Sequence, residues 1–200
     1  MDSYQALSKE QLIDKVKELT IELENVQTEK NKQLEQMSRL DFLTKLNNRS
    51  ELYERLSYET KRATRTKEPL SVVIFNIDEF KKVNDQYGHP MGDKVLTEIA
   101  KIITSSVRAT DIVGRYDGEE FMIILPACKA ENAIIVAEQI RESIELNTFN
   151  DEFKITVSGG IHQFQGESAD QCIDLAEKLI LKAKQNGRNR IESSTNLPLD

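Results

Sequence analysis

Three acids and one glycine at the mouth of an apolar run are the first residues here that could do chemistry. In "RYDGEEFMIIL", residues 115–125, Asp117, Glu119 and Glu120 surround Gly118 and lead directly into a strand-like stretch. Acids this close repel one another, so three readings stand: a solvated turn, a cation site, or an altered copy of a catalytic hairpin. A second acidic turn is "FNID", where Asn76 and Asp78 lie two apart and share one face if the strand persists. Oxygen-rich turns of this kind suit magnesium, or manganese, which takes one or two carboxylates and completes its shell with water and phosphate oxygens. Basic groups able to meet a phosphate follow: Lys81 and Lys82 after the first acidic turn, then Lys184 and Arg188 around "KQNGRNR". Taken singly, each is an ordinary solvated charge. Two acidic turns with separate basic turns together form the pattern of a nucleotide–metal site.

The composition narrows the class. At 200 residues, 38% hydrophobic and 30% charged, the chain has room for one domain of ordinary size and an appendage. A net charge of -7 excludes a non-specific nucleic-acid binder with a basic face, yet allows one small anionic ligand in a local pocket. No apolar run approaches the ~18 residues of a membrane span, the polar start "MDSYQALSKE" has no signal-peptide core, and a cytoplasmic protein is expected. Cys128 and Cys172 are too few for a disulfide framework or a zinc site and read as packing residues. His89 and His162 read as hydrogen-bonded structural residues. No phosphate-loop, GxGxxG, HExxH or GxSxG motif is present.

The elements that must position these groups follow from periodicity. Leu12, Val16, Leu19, Leu23 and Val26 make a heptad seam, interrupted at Lys30 and Gln33 and resumed at Met37 and Leu40. So narrow a stripe suits a parallel two-stranded coiled coil and hence a homodimer; a helix folded back on its own domain is the alternative. Residues 1–40 are therefore expected as an N-terminal coiled-coil signalling helix and 41–200 as the domain. Ser50 is expected to cap the helix "ELYERLSYETKRAT", and "SVVIFNI" is a strand. A polar loop "DEFKKVNDQYGHPMGD" comes next, then the helix "KVLTEIAKIITSSV". The segments 112–116 and 121–126 form a hairpin rather than a crossover. "FKITVSGGIHQF" reads as a long strand whose glycine pair marks a bulge or a close approach. Helices over "AENAIIVAEQIRESIEL" and "ADQCIDLAEKLILKAKQNG" and a final strand at "RNRI" complete a mixed α/β (α+β) sheet flanked by helices.

From Asp41 to Ile191 these motifs together resemble the GGDEF family, the diguanylate cyclase domain. "DFLTKLNNRS" resembles D-x-L-T-G-L-x-N-R-R with Lys45 for the glycine. "FNIDEFKKVNDQYGHPMGDKVL" resembles F-D-x-D-x-F-K-x-x-N-D-x-x-G-H-x-x-G-D-x-x-L, "RYDGEEF" falls on R-x-G-G-[D/E]-E-F, and "AEKLILKAKQNGRNRI" resembles the closing A-D-x-A-L-Y-x-A-K-x-x-G-R-N. The resemblance implies a palm-like domain with a central, mainly antiparallel sheet. It also implies condensation of two GTP to cyclic di-GMP and two pyrophosphates, with Mg²⁺ and two domains face to face. By position, Asn84 and Asp93 fall on the guanine-reading residues, Lys184 and Arg188 on the triphosphate-binding residues with Lys81 nearby. Glu119 falls on the metal ligand of the hairpin with Glu120 beside it, and the carbonyl of Ile77 on a further ligand. Arg108 and Asp111 in "RATD" resemble the R-x-x-D motif at which the product inhibits.

Two departures sit in that site. The family's first metal aspartate is Asn76, and the first glycine of its signature is Asp117. Loss of a unit charge at ~4 Å, at an effective dielectric of ~20, removes on the order of 4 kcal/mol of attraction. Asp117 either restores that charge from the opposite turn or obstructs a position where glycine permits positive φ. Two principal functions stay open: a cyclase of full or reduced activity, inhibited by its product, or a domain that binds cyclic di-GMP or GTP without turnover. A dimerising domain whose ligand sites are relics is the blander third.

Overall fold

The computed structural model describes residues 9–37, 39–150 and 152–194, with the side chains of Glu10, Val26 and residues 28–37 outside the description. Helix α1 (Lys9–Met37) forms one unit and the chain from Arg39 onward another. Along α1 the seam residues Leu12, Val16, Leu19 and Leu23 are all exposed; Val26 and Met37, further along the seam, fall among the side chains not described.

The second unit is a five-stranded sheet ordered β2-β3-β1-β4-β5. Its centre is β1 (Leu70–Ile77), antiparallel both to β3 (Glu120–Pro126) and to β4 (Val157–Gln163). Strand β2 (Ile112–Asp117) pairs antiparallel with β3 as the expected hairpin, and the short β5 (Ile191–Ser193) runs parallel to β4. Every residue of β1 is buried, which is why its middle, Val72–Phe75, is an uninterrupted β-branched and aromatic run. Val73, Phe75 and Ile77 face one core with α4 (His89–Ser105) and α5 (Ala130–Leu146). Val72 and Ile74 face the other, with α2 (Arg49–Thr66) and α6 (Ala169–Gln185).

Three details depart from the sequence reading. Asn48, not Ser50, caps α2: its backbone is extended and its side chain accepts from the Glu51 N–H, so the helix begins at Arg49. The segment read as a polar loop holds a further helix, α3 (Phe80–Tyr87), and the start of α4. Phe80, Val83 and Tyr87 give α3 its inward stripe, and Pro90 stands in the first turn of α4, where a missing N–H costs nothing. The long strand contracts to Val157–Gln163.

The glycine pair is a close approach, with no shift in register along β1 and β4. A Cβ on Gly160 would stand 2.1 Å from the Ala176 carbonyl oxygen and 2.9 Å from the Ile180 nitrogen, both backbone atoms of α6. Helix and sheet could then separate only by losing contact along the whole face. Gly160→Ala is expected to destabilise the domain by about 1–3 kcal/mol, read as a shift in the chemical denaturation midpoint at unchanged slope. Lys45, in place of the family's glycine, does adopt the left-handed conformation (φ 61) and lays its ammonium over the Phe42 ring at 4.7 Å.

Candidate active site

The end of β1 and the β2–β3 turn converge through the backbone. The Ile77 N–H donates to the Glu119 carbonyl at 3.2 Å, so the turn folds over the strand that carries Asn76. Asn76 and Glu120 are direct cross-strand partners, as are Glu120 and Asp117, which places the three on one rung. Asn76 is buried, and its Nδ2 donates to Glu120 Oε1 at 2.9 Å, leaving Oδ1 as a neutral oxygen donor. Glu119 is half-buried in the turn. Asp117 is exposed, and its Oδ1 accepts from the Gly118 N–H at 3.0 Å. Within the turn the positive φ belongs to Gly118, at 23, so Asp117 occupies its place without left-handed strain.

This end of the rung is crowded with acids. Burial pushes the Glu177 carboxyl of α6 above its ordinary range, and the nearby Glu120, Asp174 and Asp117 push it further against the pull of Arg49. Arg49 in turn stacks its guanidinium on Tyr116 at 4.8 Å. Asp78 is committed elsewhere: Thr156 and Ser158 donate their hydroxyls to it, each at 2.7 Å, and the Asn189 N–H adds a third bond at 3.1 Å. It thereby ties the loop after α6 to the end of β1.

That loop carries the phosphate candidates. Lys184 is half-buried in the last turn of α6, and Arg188 is exposed at φ 61, its N–H donating to the Ala183 carbonyl. Arg188 and Lys82 act on Glu79 at the start of α3, where the Lys82 ion pair at 2.6 Å chiefly lowers the carboxyl's affinity for protons. Lys81 is exposed on α3. Of the guanine candidates, Asn84 packs against the start of α4: a Cβ on Gly92, the residue before Asp93, would stand 2.1 Å from Asn84 Oδ1, so only glycine lets the Asn84 amide lie there. Asp93 is exposed and lines a hollow of about 560 Å³ with Leu43, Lys94 and Thr97.

Arg108 and Asp111 stand at the far end of β2, roughly 20 Å of strand from the hairpin turn. Asp111 closes its own turn, Oδ2 accepting from the Arg108 N–H at 2.9 Å. The Arg108 side chain borders a groove of about 400 Å³ shared with Lys45, Asn47 and Val113.

Sequence reasoning missed the strut behind the hairpin. Arg115 donates from Nε to the Gly118 carbonyl at 2.8 Å and pairs with Asp41 at 3.3 Å, while Asp41 also caps the Thr44 turn. Asn47 adds a bond from its amide to the Val113 carbonyl at 2.7 Å. The opening motif thus clamps the signature hairpin, a pairing across 74 positions that no local spacing reveals.

Residues 38–190 match the family model described as diguanylate cyclase, GGDEF domain, and the chain belongs to that family. It is 40% identical over 177 residues to diguanylate cyclase A of Treponema denticola, covering 84% of this chain but 48% of the relative, so it spans about half of that protein. The fold is similar to a solved structure comprising the coiled coil and GGDEF domain of DgcB from Caulobacter crescentus in complex with c-di-GMP. That likeness has a TM-score of 0.75 at 26% identity and covers 92% of this chain and 99% of that one. It is similar also to the active GGEEF domain of a diguanylate cyclase from Vibrio cholerae, with a TM-score of 0.71 at 34% identity over 73% of this chain and 96% of that one. The mixed, mainly antiparallel sheet with helices on both faces is the fold that the resemblance implied. Among the described residues no helix is long and apolar enough to cross a membrane.

Proposed function

We propose that this domain condenses two GTP into cyclic di-GMP and pyrophosphate, working as a homodimer joined through α1 and inhibited by its product at Arg108 and Asp111. The observation that carries the reading is the Ile77–Glu119 backbone hydrogen bond. It joins the two turns whose oxygen donors, the Asn76 amide oxygen, the Ile77 carbonyl and the Glu119 carboxylate, are those a hard divalent cation takes. The donor set fits magnesium or manganese, which when bound neutralises phosphate charge and helps activate the attacking 3′-hydroxyl. Around it, Asn84 and Asp93 accept the guanine edge, whose N1–H and N2–H₂ donors adenine lacks. Lys184 and Arg188 hold the triphosphate, and Lys81 extends the cationic side of the pocket. Asp41 and Arg115 keep the hairpin fixed while the reacting groups align.

Each site can hold one GTP, so two domains must face each other. The exposed row Leu12, Val16, Leu19 and Leu23 supports a partner helix along α1. The decisive assay incubates nucleotide-stripped protein with Mg²⁺ and GTP or ATP and measures cyclic dinucleotide by chromatography. Turnover of GTP and not ATP is expected.

A receptor reading draws on one observation, the engagement of the Asn76 amide nitrogen with Glu120, which holds a neutral group where the family places an acid. Absence of turnover together with tight cyclic di-GMP binding would establish it. In either case Arg108→Ala is expected to weaken cyclic di-GMP binding about tenfold by calorimetry, since an arginine fork on guanine O6 and N7 carries ~1–3 kcal/mol. Equal affinity in the variant would remove Arg108 from the product site.

A further inference from the structure

We propose that His162, Glu167 and Cys172 form a binding site for a borderline-soft divalent cation of the zinc class, separate from the GTP site. The three residues lie at the end of β4, in the turn after it, and in the first turn of α6. One ligand atom from each falls within 4.8 Å of the others. His162 Nε2 is 2.6 Å from Glu167 Oε1, and Cys172 Sγ donates to the same oxygen at 3.1 Å. A single carboxylate oxygen therefore gathers an imidazole and a thiol head to head. Its other oxygen is held by the Gln165 N–H at 2.9 Å, which fixes the carboxylate's direction as outer-shell bonds do around metal ligands.

Imidazole, thiolate and carboxylate are the zinc donors, at about 2.0–2.3 Å from the ion. A tetrahedral shell separates such donors by about 3.4–3.6 Å, so the two contacts on Glu167 Oε1, at 2.6 and 3.1 Å, need to open by under about an ångström to admit one. Cys172 is fully buried and His162 nearly so, while the Glu167 side chain is 16% exposed and supplies a way in from solvent. With a cation on Nε2 the imidazole proton sits on Nδ1, which is buried with no hydrogen-bond partner among the described residues. A cation takes Cys172 as the thiolate, so binding it displaces the thiol proton now donated to Glu167.

The test uses the whole protein with Zn²⁺ alone and Co²⁺ alone. One ion per chain is expected, with a thiolate-to-cobalt charge-transfer band in the near ultraviolet. Zinc should also slow alkylation of Cys172 in mild denaturant while leaving Cys128 unchanged. Cys172→Ser should abolish the band and weaken binding at least tenfold, and Cys128→Ser should do neither. If Cys172→Ser does not fold, the alkylation of the unaltered protein decides. A cobalt spectrum without the band, or equal Cys172 alkylation with and without zinc, would reduce the cluster to a hydrogen-bonded triad only, even if zinc bound at the acidic hairpin.

Discussion

Glu119→Gln is expected to lower cyclic di-GMP formation about a thousandfold while leaving the thermal midpoint within a degree or two. The substitution keeps the size of the side chain, and the Glu119 backbone carbonyl still receives the Ile77 N–H, so the turn stays folded over β1. What disappears is one unit of negative charge. At ~4 Å and an effective dielectric of ~20 that charge is worth on the order of 4 kcal/mol. At ~1.4 kcal/mol per decade, a loss felt wholly in the transition state gives the thousandfold. The effect should be this large because the other side-chain oxygen donor of the proposed set, Asn76, is already neutral, which leaves Glu119 as its charged member. Pyrophosphate release at saturating GTP and Mg²⁺ measures it. Activity within tenfold of the parent would show that the cation is held by other residues.

How far this site could be read from the chain depended on whether a residue's role was local. Strand β1 was legible because burial on both faces writes an unbroken apolar run, and the β2–β3 hairpin because its turn interrupts two such runs. The glycine pair at 159 and 160 announced a close approach, which α6 supplies. Helix α3 was not legible: with Phe80 its one buried residue, its eight residues are mostly polar and look like the loop around them. The hairpin acids were visible as a motif, but their orientation was not. That Asn76 turns its amide nitrogen to Glu120, or that Glu177 of α6 joins the acids, depends on strand register and helix packing. The Asp41–Arg115 pair is long-range and left no periodic trace. Nor did the meeting of His162 with Cys172, since alone the first reads as a hydrogen-bonded structural residue, the second as a packing residue, and Glu167 lies in an unremarked turn.

Asp117→Gly is expected to cost about twentyfold in rate, and Asn76→Asp to restore that loss when added to it. The two positions flank Glu120 on one rung, so two inter-strand spacings, about 9–10 Å, separate their backbones. A unit charge at that distance, with an effective dielectric of ~20, contributes a little under 2 kcal/mol, or about twentyfold at ~1.4 kcal/mol per decade. The Asp117 charge is already felt on this side of the sheet, where it helps to raise the Glu177 carboxyl. Its backbone lacks the positive φ that would have required glycine, so the side chain is tolerated without strain, and Asp117→Gly removes its charge together with the bond from the Gly118 N–H. Asn76→Asp by itself brings a gain and a cost. It returns a carboxylate to the family's ligand position, but it replaces the hydrogen bond to Glu120 with two opposed acids on adjacent strands, so its net effect should stay within about threefold. The signature of compensation is therefore non-additivity: Asp117→Gly should be severe beside Asn76 and nearly silent beside aspartate. The alternative has an equally clear signature. If Asn76→Asp alone raises the rate severalfold while Asp117→Gly changes nothing, Asp117 is a bystander, and the amide at position 76 alone sets the level of activity.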